Sequence, residues 1–532
     1  MSKKSFLKGA AILGIAGLLV QVMGAIFRIP LGNIIGDDGM GYYQTAYPIY
    51  VFLLVFSTNG APAAISKMTS ERIAIGRSDE AHRVFKLSFI LMFVLGIVAS
   101  SIFFFGAERI VNALGNPGAY YAMIAIAPAL LFVPIMAVFR GYFQGMQEMG
   151  PTATSQLIEQ AVRVAIGLVL AFMLVSKGLE YAAAGATVGT SIGPIAGVLV
   201  LIVIYLYKKS RLPLKNETKD ISKEGAGSIL KTLAAIAIPI TIGVSILPIM
   251  NIADVVIVMR RLQSVGFTGA EANALYGQLT GMAGPVINIP MALALSMALS
   301  MVPAIAAAAS TGDTAFLNMN VRLGLRTAMI IGVPCSFGLM ALSEPIMKLI
   351  YPLQAESAVS ASGCLFYLAI GIVFLCIAQT MAGTLQGLGR PGIAVWGLAA
   401  GVVIKCASTF VLTGIPELNV EGAAIGSTLG YITIGLINFV AVKKLTGITF
   451  DFKLSIWKPL ISGVVMFVLV FGAYKGFIGF IGNSLATVVA IGIGAAVYGL
   501  MLLKIKAIEE NEIAMLPKGN ALLKLLRKCK LV

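Results

Sequence analysis

Charge is scarce in this sequence: Asp, Glu, Lys and Arg make up 12% of its 532 residues, about half the share usual in a soluble domain. A single histidine, His82, excludes any mechanism built on several imidazoles. The five cysteines (Cys335, Cys364, Cys376, Cys406 and Cys529) fall in apolar runs or the tail without paired spacing. Neither a disulfide framework nor a zinc site follows. There is no G-x4-G-K-[ST] phosphate loop and no HExxH, so neither an ATPase engine nor a zincin is encoded. The one G-x-S-x-G match, Gly189 to Gly193, lies inside an apolar run and lacks the strand-to-helix turn of a nucleophile elbow. With Gly197 it forms small-xxx-small steps, a helix-packing pattern. The sequence supports no enzyme class, and any transport must draw on a gradient or a partner.

What remains is grease. Hydrophobic residues make up 58% of the chain and its mean hydropathy is +0.93, more than a globular core can hide. Fourteen apolar segments, from 9–31 to 483–503, each approach the ~20 residues that a membrane helix needs. The fold class expected is an all-α integral membrane protein of 14 transmembrane helices. The first segment, which follows Lys3 and Lys4, is too long for a signal peptide and reads as an uncleaved span.

Lys and Arg concentrate on the cytoplasmic side of membrane proteins. With the N-terminus inside, 30 of the 39 basic residues fall in inner segments. The wrong helix parity would scramble this sorting, so both termini are expected in the cytoplasm. The net charge of +16 then needs no nucleic acid to explain it. Asn216-Glu217-Thr218 is a glycosylation sequon on paper only, because it lies on the inner side.

The longest hydrophilic interruption, Lys208 to Glu224, separates six spans from the next six. Residues 1–215 are expected to form an N-lobe, 216–230 a cytoplasmic linker, 231–445 a C-lobe, and 453–532 two extra helices with a basic tail. Gln144-Gly145-Met146 and Gln386-Gly387-Leu388 both close a fourth span, and the same offset of 242 carries Arg163 onto Lys405. With one residue of drift, Gly185 to Gly189 aligns with Gly426 to Gly430. Parallel repeats of this kind give pseudo-symmetric transporter halves that rock about a central site. Similarity between glycine-rich helices is the alternative origin of the match.

Charges in apolar runs are costly, about 2.5–3.5 kcal/mol at mid-bilayer on insertion scales, and tend to mark a pathway. Five stand out: Arg28, Glu159, Arg163, Asp254 and Lys405. Gln156, Glu159, Gln160 and Arg163 recur at i, i+3, i+4 and i+7, one face of a helix that should look into a wet cavity. A self-neutralising Glu159–Arg163 pair is the alternative. Arg28 either enters the cavity or snorkels to the outer interface. Lys405 has no acidic neighbour on its helix, and a substrate anion would supply one. Arg28, Gln156, Glu159, Arg163 and Lys405 are therefore the candidate substrate contacts. Asn251 and Asp254 offer hard-oxygen ligands for a coupling sodium ion or a proton; a structural, hydrogen-bonded Asp254 is the other reading.

The stretch Arg140-Gly141-Tyr142-Phe143-Gln144-Gly145-Met146-Gln147, then Pro151-Thr152-Ala153 and Glu159-Gln160-Ala161-Val162-Arg163, resembles the multidrug/oligosaccharidyl-lipid/polysaccharide exporter superfamily. The resemblance is to the branch that contains stage V sporulation protein B and the Gram-positive lipid II flippases, and it covers essentially the whole chain. It implies two six-helix lobes plus two C-terminal helices, in a bacterial plasma membrane. It also implies alternating access that moves an undecaprenyl-pyrophosphate-linked wall precursor, lipid II foremost, from the inner to the outer leaflet. Arg28 resembles an arginine that such flippases turn toward the cavity. The pattern departs at Ile29, where an acidic residue is common, and at Gln278, where a cavity arginine is expected. The partners implied are the anionic polyprenyl-pyrophosphate lipid and membrane lipids, with the cell-wall synthesis machinery an open candidate. An exporter of a polysaccharide precursor or of drugs, and a non-transporting assembly factor for sporulation or the cell wall, remain alternatives.

Overall fold

The computed structural model describes residues 3–55, 59–208 and 224–507, and the secondary structure among them is helical throughout. Eleven helical runs are long and apolar enough to cross a membrane, or twelve if the bent pair Ala226–Ile242 and Ile246–Ser264 is one span. Two of these runs are hairpins. In α1 (Lys3–Val55) Gly36 leaves helical geometry at φ 65°, ψ −169°. Phe27 and Tyr43 would lie about 24 Å apart on a straight helix, yet their ring centroids are 6.1 Å apart. The chain therefore doubles back at Gly36, in a backbone region essentially reserved for glycine. In α17 (Lys458–Lys504) Gly482 breaks the helix at φ 72°, ψ 171°. Lys458 Nζ donates to the carbonyl of Lys506 at 2.7 Å, again the signature of folding back. The architecture is compatible with the fourteen expected spans.

The outward surface is apolar, as lipid requires. Phe105 on α3 (Ser78–Leu114) is 83% exposed and Phe480 on α17 is 87% exposed. The interior is knitted by small residues instead.

The chain divides by packing into two compact units, Met1–Gly281 and Met282–Val532. This cut differs from the lobe boundary read at 216–230, of which 216–223 lies outside the described residues, as do Cys529 and the tail from residue 508. The first unit holds α1, α2 (Ala61–Ala74), α3, α4 (Tyr120–Ile126), α5 (Ala129–Gly145), α6 (Met149–Leu174), α7 (Leu179–Lys208), α8 (Ala226–Val244), α9 (Ile246–Ser264) and α10 (Gly269–Gly277). Helices α8 to α10, which follow the linker, pack on α1, α2 and α3. At the end expected to be cytoplasmic, Arg72 pairs with Glu224, just ahead of α8, and lies 3.9 Å from Glu80. At the opposite end, Asn116 Nδ2 donates to Thr45 and to Asn273, and Gln278 Nε2 donates to Asp37 at 2.8 Å.

The second unit holds α11 (Gly284–Thr311), α12 (Thr314–Ala341), α13 (Ser343–Ile350), α14 (Ala355–Gly387), α15 (Pro391–Leu412), α16 (Glu421–Thr446) and α17. Arg326, buried on α12, donates through Nε to the carbonyl of Ala507 at 2.8 Å and ties down the end of α17. An apolar cavity of about 410 Å³ lies among α12, α14, α16 and α17, lined by Phe337, Phe374 and Phe439 among others.

Candidate functional site

The hairpin at Gly36 lays the second limb of α1 along the first and brings three tyrosines beside two arginines. Tyr43, Tyr47 and Tyr50 follow at i, i+4 and i+7, so their rings share one helix face. Tyr43 and Tyr47 stack at 5.6 Å, and Tyr47 and Tyr50 lie 6.0 Å apart. Helix α6 packs against the first limb, where Gly167 accepts Phe27 so closely that a Cβ would stand 2.9 Å from its ring.

Arg163 on α6 reaches over the ladder. Its Nη2 donates to the Tyr43 hydroxyl at 3.0 Å, and its guanidinium lies 5.1 Å from the Tyr47 centroid and 5.8 Å from that of Phe27. Arg28, half-buried, comes to the same Tyr47 ring at 5.5 Å. Two cations thus converge on one aromatic ring, whose quadrupole attracts each and whose hydroxyl accepts from both. Among the described residues neither forms a salt bridge, and Arg163 Nε is buried without a hydrogen-bond partner.

The self-neutralising Glu159–Arg163 pair is not what forms. Glu159 accepts from Arg140 Nη2 at 2.8 Å, and Arg140 Nε donates to Ser155 Oγ at 2.9 Å. Arg140, one of the 30 basic residues counted to the inner side, lies on α5 and is only 8% exposed. Hydropathy hid it, because it sits near the end of a span where a basic residue normally marks the cytoplasm. The tyrosine ladder was also missed, although its i, i+4, i+7 spacing was readable. Gln156 Oε1, on the same face of α6, is buried without a hydrogen-bond partner. Gln160 is buried, with Nε2 3.6 Å from where a Cβ on Gly24 would stand.

Other expected site residues lie elsewhere. Lys405 belongs to the second unit, buried on α15 with its stem against Gly430, and it is not an orphan charge. Asn251 on α9 is exposed while Asp254 is half-buried and in electrostatic reach of Tyr276. Gln278, at the position where a cavity arginine was sought, is spent on Asp37.

Comparison with known proteins gives the chain its family. A family model described as polysaccharide biosynthesis protein matches residues 6–309. The chain belongs to that family. It is 28% identical over 526 residues to stage V sporulation protein B of Bacillus subtilis (strain 168), covering 97% of this chain and 98% of the relative. It is 28% identical over 525 residues to the lipid II flippase MurJ of the same organism, covering 94% and 95%. A solved lipid II flippase MurJ in an inward closed conformation superposes with a TM-score of 0.67 at 17% identity, covering 92% of this chain and 97% of that one. The family member described here is thus a multi-pass membrane protein with the MurJ-like fold, and its resemblance to the exporter superfamily is borne out.

Proposed function

We propose that the protein is a flippase that carries an undecaprenyl-pyrophosphate-linked wall precursor, lipid II foremost, from the inner to the outer leaflet by alternating access. The observation that carries this reading is the pair of guanidiniums, Arg28 and Arg163, sharing the Tyr47 ring with no carboxylate bridging them. A pyrophosphate needs such donors, since charge-assisted bonds from arginine to phosphate are short, often bidentate, and about twice as strong as neutral ones. The side-chain hydrogen bonds of the two arginines go to the hydroxyls of Tyr43 and Tyr47 and not to carboxylates, so neither charge is neutralised within the site. The relatives named for sporulation and for lipid II flipping support a lipid-linked substrate. The family description favours, as a second reading, a lipid-linked polysaccharide precursor.

Lys405 meets the substrate at another stage of the cycle on this reading, and Asp254 with Asn251 couples it to sodium or protons. The setting is a bacterial plasma membrane with both termini cytoplasmic, beside the cell-wall synthesis machinery. Reconstitution into liposomes tests the proposal: labelled lipid II should cross from one leaflet to the other, and the Arg28→Gln/Arg163→Gln variant should not move it. Efflux of a cationic dye without lipid movement would overturn it, whereas movement of another polyprenyl-pyrophosphate sugar in place of lipid II would favour the second reading.

A further inference from the structure

We infer that Arg140 sets the sign of the site: by holding Glu159 it keeps the charge of Arg163 available to an anion. This rests on the proposed reading that Arg163 meets the substrate. Glu159 and Arg163 stand at i and i+4 on α6, the spacing at which a carboxylate and a guanidinium pair most readily on an isolated helix. They do not pair here, because Arg140 on the neighbouring α5 takes the carboxylate first, at 2.8 Å. Arg140 is itself fixed from a second side. Its Nε donates to Ser155 Oγ, whose hydroxyl donates to the Thr152 carbonyl at 2.8 Å.

Helix α7 closes the arrangement from behind. A Cβ on Gly193 would stand 2.8 Å from the Glu159 carbonyl and 3.1 Å from Arg163 Cβ; one on Gly197 would stand 2.8 Å from Met136 Sδ and 3.6 Å from Glu159 Cβ. The glycines let α7 press directly on the stems of both residues and on α5 one turn before Arg140. With its stem pinned, the Arg163 head leans the other way, onto Tyr43 and Tyr47. Removing the Arg140 charge would leave Glu159 with Arg163 as its nearest basic group on α6. A carboxylate tethered one turn away would then compete with any phosphate for that guanidinium. Arg140 is thus a positioning residue for specificity, choosing anions over cations without touching them.

The test measures binding of undecaprenyl pyrophosphate to the purified full-length protein in nanodiscs. Arg140→Gln should weaken binding by about tenfold to a hundredfold, the worth of one charge-assisted hydrogen bond. Arg140→Lys, which still offers Glu159 a cation, should bind within a few-fold of the parent. Arg140→Gln/Glu159→Gln, which leaves no carboxylate to compete, should also recover. Adding Arg163→Gln to Arg140→Gln should cost little more, because that guanidinium is already quenched. If Arg140→Gln does not fold, the neutral double variant decides. A folded double variant that fails to bind overturns the inference, as does an Arg140→Gln protein that binds like the parent. If Arg163→Gln alone leaves binding unchanged, it is the proposed contact with substrate that fails.

Discussion

Tyr47 is where the site can be weakened without altering a charge. Its ring carries Arg28 at 5.5 Å and Arg163 at 5.1 Å. A cation over an aromatic ring contributes about 0.5–1 kcal/mol where water has access and more where it has been expelled. Two such contacts in a half-open site amount to about 1–2 kcal/mol, or roughly a fivefold to thirtyfold change in an equilibrium constant. Tyr47→Leu removes the ring and keeps most of the apolar bulk, so both guanidiniums must be ordered by the substrate at its own cost. Affinity for undecaprenyl pyrophosphate in nanodiscs should drop by that factor. Tyr47→Phe keeps the π face but loses the hydroxyl, which also meets both guanidiniums, so its affinity should fall between those of the parent and Tyr47→Leu. Thermal unfolding of both variants separates binding from folding. A folded Tyr47→Leu protein that binds as tightly as the parent would refute the idea that the ring pre-organises the arginines.

Three further outcomes follow from particular positions. Gly482→Ala should cost about 1–3 kcal/mol of stability through backbone strain alone, since nothing lies within 4 Å of its would-be Cβ, while Gly479→Ala, equally open but helical, should be neutral or stabilising by up to about 1 kcal/mol; equal melting points would refute the hairpin strain. Asp254→Asn should abolish the sodium or pH dependence of flipping, and an unaltered dependence would make Asp254 structural. Burial pushes the Glu224 carboxyl up, but hydrogen bonds from Arg72 and Ser228 and the charges of Arg72 and Arg77 outweigh it and hold it below the ordinary carboxylate value. A lowered folded value means the stabilisation is present at neutral pH and is lost as pH falls through that value; the stability gap between the parent and Glu224→Gln should therefore close in acid, and a gap that persists there would refute the latch.

The helical class and the approximate spans were legible because hydropathy reads burial in lipid one residue at a time. The pairing of ionisable groups was not, because it is decided between helices. Spacing put Glu159 one turn from Arg163, and only the approach of α5 reveals that Arg140 takes the carboxylate. Arg140 itself was read by a rule about loops, since a basic residue near a span end ordinarily snorkels to water; here Ser155 and Glu159 hold it inside. The reversal at Gly36 falls in the gap expected after the first span, 9–31; only its tightness was hidden, because helix runs up to Gly36 from both sides and a positive φ at that one glycine turns the chain.

The sequence match at an offset of 242 bears on whether the Arg140–Glu159 pair is needed for folding. The offset of 242 that carries Arg163 onto Lys405 carries Glu159 onto Gly401 and Arg140 onto Ala382. The matched stretch of the second unit keeps the cation and has no such ion pair. Its helices still pack: Gly426 and Gly430 on α16 receive Thr409 and Lys405 of α15, as Gly189 on α7 receives Arg163 of α6, and elsewhere along the pair small and large residues are exchanged. In the first unit Gly193 and Gly197 on α7 receive Glu159 and Ser155 of α6, whereas in the second Gly397 and Gly401 on α15 receive Asn438 and Ile434 of α16. Close approach therefore depends on a glycine stripe on one helix or the other, and not on a charge pair between α5 and α6. Arg140→Gln alone removes the charge-assisted bond to Glu159 and leaves that carboxylate to turn to Arg163, so it should cost about 1.5–3 kcal/mol of stability. Arg140→Gln/Glu159→Gln removes both charges and should stay within about 1 kcal/mol of the parent, because replacing a whole buried pair is often neutral. Thermal unfolding reads both values. A double variant as unstable as the single one would mean that the pair is structural, and that the two matched stretches hold their helices together by different means.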